Sequence, residues 1–175
     1  LQQSAMDEGA REEFLEAFDE KREDTLLAFC VMGGIFAEGI DLTGNRLIGA
    51  VILGCGLPMV TNERKLISDF FDAREGDGFS YAYLYPGMNK VLQAAGRVIR
   101  TTEDVGVIAL LDGRFLYNEY RSIFPREWTN TAVALESDIE QKIIAFWCPQ
   151  TAHRQSIVGA DINFAQHSRA PPLPK

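Results

Sequence analysis

The stretch 92–100, Leu-Gln-Ala-Ala-Gly-Arg-Val-Ile-Arg, constrains this chain more than any other. It reads as the end of one long helix beginning near Met88. At about 100° per residue, Gln93, Arg97 and Arg100 fall at roughly 0°, 40° and 340°. The three polar side chains therefore share one narrow stripe, with Gly96 beside it. Val91, Leu92, Ala94, Ala95, Val98 and Ile99 fill the rest of the wheel. A helix apolar over most of its circumference belongs in a core, so the stripe faces a cleft or an interface. Arginine presents a rigid fork of donors suited to phosphate oxygens. The same spacing also suits a solvated stripe or ion pairs with the chain's many carboxylates.

Around this helix, apolar runs alternate with helical patterns. Thr25–Met32, Leu47–Gly54 and Val105–Asp112 are continuous apolar runs, short enough to be buried strands. Asp7–Arg22 reads as a charged amphipathic helix covering a sheet, with Ala10, Phe14, Ala17 and Phe18 at helical spacing. Asn62 can cap a helix running to about Arg74. Ile35–Gly44 reads as a loop, and Arg114–Trp128 as irregular chain with a helical turn near Tyr117–Ile123. Thr131–Trp147 reads as the last helix. Alternation of this kind specifies an α/β fold of three layers, a mainly parallel sheet flanked by helices.

The length of 175 residues suits one domain. Residues 1–147 carry the pattern. Residues 148–175 hold four of the seven prolines and both histidines, and read as a poorly structured tail, with a short strand within Ser156–Phe164. With 25 acidic against 17 basic residues the net charge is −8, so bulk electrostatics disfavour nucleic acid and any such contact needs a local patch. Cys30, Cys55 and Cys148 form no CxxC pair, and no metal site is signalled. Cys30 and Cys55 lie in apolar runs and read as small core residues. No run is apolar and long enough to span a membrane, and a reducing cytoplasm is the expected home. The chain starts without Met and reads as a piece of a longer protein.

No GxxxxGK[ST] is present, so no phosphate-cradling loop of that kind. The residues describe half a site: arginines and a glycine-rich loop that complete something held by a neighbour.

Two of these segments resemble known motifs. Gly34-Ile-Phe-Ala-Glu-Gly-Ile-Asp-Leu is similar to motif V of the DinG/XPD group of superfamily 2 helicases. Gln93-Ala-Ala-Gly-Arg-Val-Ile-Arg resembles their motif VI, Q-x-x-G-R-x-x-R. Gly54–Pro58, Leu110-Leu-Asp-Gly-Arg-Phe115 and Trp128 continue the resemblance in order, over roughly residues 5–145. The resemblance implies the second, C-terminal RecA-like motor domain of an ATP-dependent DNA helicase, truncated at its N-terminus. In that family ATP sits between two such domains. The first domain carries the phosphate loop, the Mg²⁺-binding acids and, in many members, an iron–sulfur cluster; none of these is expected in this chain.

Roles follow by position. Arg97 and Arg100 match the arginine fingers that reach the γ-phosphate, a chemistry that needs positive charge where phosphoryl transfer develops negative charge. Gln93, Gly39 and Asp41 match positions that couple nucleotide to nucleic acid. Gly34, Phe36 and Glu38 fall where a single DNA strand is expected, and Asn62 and Arg64 open a helix whose N-terminus could meet a backbone phosphate. Plainer readings stand beside these. The glycines could only permit unusual backbone angles, Asp41 could cap a turn, and Asp112 with Arg114 reads as a local ion pair. Tyr81, Tyr83, Tyr85, Phe115 and Tyr117 read as packing before base stacking. The implied partners are single-stranded DNA and the first motor domain, and an exposed sheet edge could pair two copies. The chain alone is not expected to hydrolyse ATP. The alternative function is a non-catalytic RecA-like module that binds nucleic acid or protein.

Overall fold

The computed structural model describes residues 1–2, 6–19, 21–38, 42, 46–101, 104–148 and 156–160. Among these residues four strands form one sheet in the order β1-β2-β4-β3, with β1 at Gly49–Leu53, β2 at Val107–Leu111, β3 at Thr131–Ala134 and β4 at Ser156–Ala160. All three pairings are parallel. β1 and β2 occupy the apolar runs expected at Leu47–Gly54 and Val105–Asp112, in the register Gly49↔Val107 to Leu53↔Leu111. β4 lies within the short run Ser156–Phe164, and it is inserted between β2 and β3.

Helices cover both faces, as the alternation requires. Successive strand residues point to opposite faces. On one face Ile52, Ile108 and Leu110 pack beneath Met88, Val91 and Ala95 of helix α4, Tyr85–Ala95. On the other, Val107 and Ala134 are buried together, with Ile139 and Phe146 of helix α6, Glu136–Trp147, against them. Gly87 lets α4 approach β1: a Cβ there would lie 2.7 Å from the Cys55 carbonyl oxygen.

The organising helix differs from its sequence reading at both ends. It begins earlier, running into α4 from a π-helical turn at Ser80–Leu84. Pro86 explains the change of winding. It has no N–H to give the carbonyl four residues back, and its ring crowds that carbonyl. The winding widens, so that Tyr85 N donates to Ser80 O. The Ala82 carbonyl, which Pro86 cannot serve, accepts from Arg64 Nη1 at 3.1 Å. The helix also ends at Ala95, not at Arg100. Arg97 N and Val98 N turn back to Ala94 O and Ala95 O at 3.2 and 3.1 Å, a tighter winding than α. The Asp104 carboxylate then accepts from Arg100 N at 2.9 Å and Thr101 N at 2.7 Å, fixing the non-helical turn. Arg97 and Arg100 therefore lie beyond the helix, and do not share a stripe with Gln93.

Other expectations change, and the loop expected at Ile35–Gly44 opens with a helical turn, Ile35–Glu38. Thr25–Met32 is extended but joins no ladder with the four strands. Its backbone partner is the N-terminal stretch, with Gln2 N donating to Phe29 O and Val31 N to Gln2 Oε1, both at 2.9 Å. Leu27, Phe29, Val31 and Cys30 are exposed as a result, whereas Cys55 is buried as expected. Thr131–Ala134 is strand, not the start of the last helix, and α6 begins with Glu136 and Asp138 in its first turn, where negative charge is favoured. Helix α3, Asn62–Glu75, is capped by Thr61, whose hydroxyl accepts from Arg64 N; Asn62 is its first residue. Helix α1, Glu8–Glu16, is shorter than Asp7–Arg22, and among the described residues its apolar side chains join a cluster apart from the four strands. Phe14 and Phe18 pack instead on Phe36 and Leu42, and the carbonyls left at its end, Leu15 and Phe18, accept from Arg46.

The aromatic residues pack on one another. Phe71 and Tyr81 stack at 4.0 Å, Phe79 lies against Tyr83 at 5.7 Å, and Phe124 bridges Phe115 and Trp128. No helix among the described residues is long and apolar enough to cross a membrane.

Candidate nucleotide and nucleic-acid site

In a parallel sheet every strand starts at the same edge, so the segments preceding β1 and β2 lie side by side. Val107 N donates to Ile48 O at 3.0 Å, which ties these two segments together. Gly106 makes this possible. A Cβ there would lie 2.3 Å from Val98 Cγ1 and 2.9 Å from the Ile48 carbonyl. The turn bearing Arg97 is thus pressed against the start of β1, the segment that follows motif V.

Arg97 is half-buried, with its Nε enclosed by protein. Arg100 is also half-buried and lines a groove of about 510 Å³ with Leu92, Ala95, Ile108, Trp128 and Asn130. The groove opens where the end of α4, the start of β2 and the approach to β3 meet. Its floor is apolar, with Arg100 and the acid Glu127 as the charged residues of its lining. Such a surface can receive the anionic part of a ligand whose remainder is held elsewhere. Asp104 sits below the ordinary carboxylate range because the backbone N–H groups of Arg100 and Thr101 donate to it. Sequence reading missed this clamp, although a carboxylate four residues past Arg100 was its signal. Gln93 is exposed on α4.

The opposite end of the sheet carries the glycine-rich loop. Gly33 has a φ of +80°, a conformation that favours glycine, and the stem of Lys90 lies across it. A Cβ on Gly34 would sit 2.9 Å from the Val31 carbonyl. Helix α2, Ile35–Glu38, follows and packs on α4. Phe36 is 3% exposed and packs against Phe14 with ring centroids 4.2 Å apart, so its ring serves the core. Glu38 ends α2; its side chain, like Gly39 and Asp41 altogether, lies outside the described residues. Asn62 is exposed at the start of α3, while the guanidinium of Arg64 is engaged by Ala82.

Where β1 and β2 end, Arg114 donates from Nε and Nη2 to both oxygens of Asp112, at 2.9 and 2.6 Å. The pair read from the sequence is present. Arg114 holds the Asp112 carboxyl below its usual value, outweighing the opposite effect of burial. A carboxylate depressed in the folded state stabilises fully above its unfolded value, about pH 4, and that contribution is lost as pH falls through the folded value. Asp112→Asn should therefore flatten the fall in stability below about pH 4, measured by urea titrations between pH 5 and pH 2. An unchanged acid limb would show that the pair contributes nothing there. Cys55, beside this pair, is 1% exposed, and burial pushes its thiol up to about 12. In the native chain a thiol-disulfide reagent should modify the exposed Cys30 and Cys148 and reach Cys55 only after denaturation; three rapid equivalents would contradict that burial.

Comparison with known proteins gives the family of the chain. The model of the helicase C-terminal domain family matches residues 1–131. A probable ATP-dependent helicase of Methanocaldococcus jannaschii is 34% identical over 91 residues, 47% of this chain and 14% of the relative. The ATP-dependent DNA helicase DinG of Photobacterium profundum is 30% identical over 89 residues, 50% of this chain and 13% of the relative. The XPD helicase subunit of general transcription and DNA repair factor IIH of Arabidopsis thaliana is 30% identical over 104 residues, 55% of this chain and 13% of the relative. The chain thus matches a small part of each. The family model covers the extended segment, the glycine loop, both arginines and the groove, and the chain belongs to the helicase C-terminal domain family, in its DinG/XPD branch.

Proposed function

We propose that this chain is the second motor domain of an ATP-dependent DNA helicase and supplies half of an interdomain nucleotide site. Arg97 and Arg100 act as its fingers. The observation that carries this reading is the turn after α4, which holds both arginines half-buried at the edge where β1 and β2 start. A second domain closing over that edge would bring its phosphate loop and Mg²⁺ to meet them. The developing charge on the γ-phosphoryl group would then meet two cations already in place.

In this reading Gly39 and Asp41 couple nucleotide to nucleic acid, and Gln93 links the site to the neighbouring motifs. Closure is transmitted through α4 to the glycine loop. That loop, with Gly34, Glu38 and the start of α3 at Asn62 and Arg64, forms part of a track for single-stranded DNA. Phe36 contributes by fixing α2 on the core, since its ring is buried, and Arg64 by fixing the π-helical turn. Mg²⁺ and any iron–sulfur cluster belong to the other domain. ATP hydrolysis by the intact parent protein, measured with and without oligo(dT), tests the motor reading. Strong stimulation by the single strand supports it; hydrolysis indifferent to DNA rejects it, and no hydrolysis rejects it in favour of a non-catalytic binding module.

A further inference from the structure

The turn Gly54-Cys55-Gly56, at the end of β1, has a cation on each side. On one side, Asp112 Oδ2 lies 3.9 Å from where a Gly54 Cβ would be, and Asp112 holds Arg114 by two bonds. The fork spends Nε and Nη2 on that carboxylate, and Nη1 lies outside the pair. The Arg114 side chain is 43% exposed, against 17% for Asp112, so the pair buries its acid and presents its base. The guanidinium is oriented further by Asp112 Oδ1, which also accepts from Arg114 N at 2.9 Å.

On the other side stands Lys90. Its Cβ lies 3.6 Å from where a Gly56 Cβ would be, and its Cδ and Cε lie 3.3 Å from where a Gly33 Cβ would be. Both glycines have positive φ, +62° and +80°. A side chain at Gly33 would crowd the lysine stem, and one at Gly56 would meet the Gly87 carbonyl oxygen at 3.0 Å and Met32 Sδ at 3.1 Å, so the stem lies across bare backbone at Gly33 and beside Gly56. Among the described residues no carboxylate pairs with its ammonium. In a chain of net charge −8, two oriented cations flanking a three-residue turn form a local exception.

We propose that Lys90 and Arg114 each bind a backbone phosphate of a single nucleic-acid strand crossing the Gly54–Gly56 turn. This rests on the reading of the chain as a motor domain, and adds to it two contacts that neither helicase motif contains. A strand presents several phosphates in series, so cations on both sides of one turn favour a strand over an isolated anion. Gly54, with only Asp112 Oδ2 within 4 Å of where its Cβ would be, leaves the floor open on the Arg114 side, letting the strand's backbone approach.

The test is the salt dependence of binding. Fluorescence anisotropy of labelled oligo(dT) with the 175-residue chain gives the slope of log K against log salt concentration. Each phosphate contact on a single strand contributes about 0.7 to that slope. Lys90→Gln should reduce it by about 0.7, and the double variant with Arg114→Gln by about 1.4. Lys90→Gln leaves the Asp112–Arg114 pair intact, so it decides the matter even if the Arg114 variant fails to fold, as thermal melting would show. A Lys90→Gln slope equal to wild type overturns the proposal while leaving DNA binding, and the motor reading, in place. No binding by the wild-type chain even at low salt overturns both. Displacement of the oligonucleotide by inorganic phosphate at matched ionic strength would assign the cations to a free anion, and also overturns the proposal.

Discussion

Arg97→Ala or Arg100→Ala, introduced into the intact parent protein, should lower the rate of ATP hydrolysis by about 10³- to 10⁵-fold, the range measured for arginine fingers in phosphoryl transfer. The loss should appear in kcat, because the cations meet charge that develops only in the transition state. Nucleotide binding, held mainly by the other domain, should change far less. The fold should survive, since both residues lie beyond the last turn of α4 and outside the apolar cluster beneath it. Steady-state kinetics with thermal melting of the same samples separates the two effects. Near-wild-type hydrolysis by both variants would reject the finger assignment. A loss of activity accompanied by a collapse of the melting transition would reduce both arginines to structural residues.

Met88→Ala should have the largest effect on stability. Met88 is fully buried at 0% exposure and sits where α4 meets Ile52, Ile108 and Leu110 of the sheet. Truncation removes the transfer free energy of the side chain and leaves a cavity between helix and strands that cannot fully collapse. The expected cost is about 2–5 kcal/mol. In a domain of this size that lowers the melting temperature by roughly 10 °C. The position also couples stability to function, because the turn that carries Arg97 and Arg100 is the direct continuation of α4. A measured loss below about 1 kcal/mol would mean that α4 is not seated on the sheet as described.

The sequence showed the parts of the fold that rest on local pattern. β1, β2 and α3 are legible because each is a single uninterrupted signal, an apolar run or an amphipathic stretch with a cap and a terminal glycine, Gly76. The two helix faces followed from alternation alone. The parts that failed depend on partners distant in sequence. Thr25–Met32 has the composition of a strand, yet a strand exists only through its neighbour, and composition does not reveal whether one is present. Thr131–Ala134 is four residues long, too short for a period of two to be told from one of 3.6.

The arginines show the same division more sharply. Their presence, spacing and chemistry were plain in the sequence, but the helical wheel that placed them assumed a helix through Gly96. The helix stops at Ala95, and Asp104, from beyond the turn, takes the N–H groups of Arg100 and Thr101. The prediction of a sheltered position survives that change, since both residues are half-buried, but the shelter comes from the turn and Gly106 instead of from the face of a helix. Lys90 lacked any signal in its own segment. Its surroundings are Gly33 and Gly56, far away in sequence, and only the fold brings them together.

That this chain holds one half of a nucleotide site is tested most directly by reconstitution. The remainder of the parent polypeptide, produced separately, is mixed with this chain, ATP, Mg²⁺ and oligo(dT), and phosphate release is followed. The expected result is no turnover by either part alone, turnover on mixing, and none when the added chain carries Arg97→Ala or Arg100→Ala. Hydrolysis by this chain alone, or full restoration by the arginine variants, would contradict it.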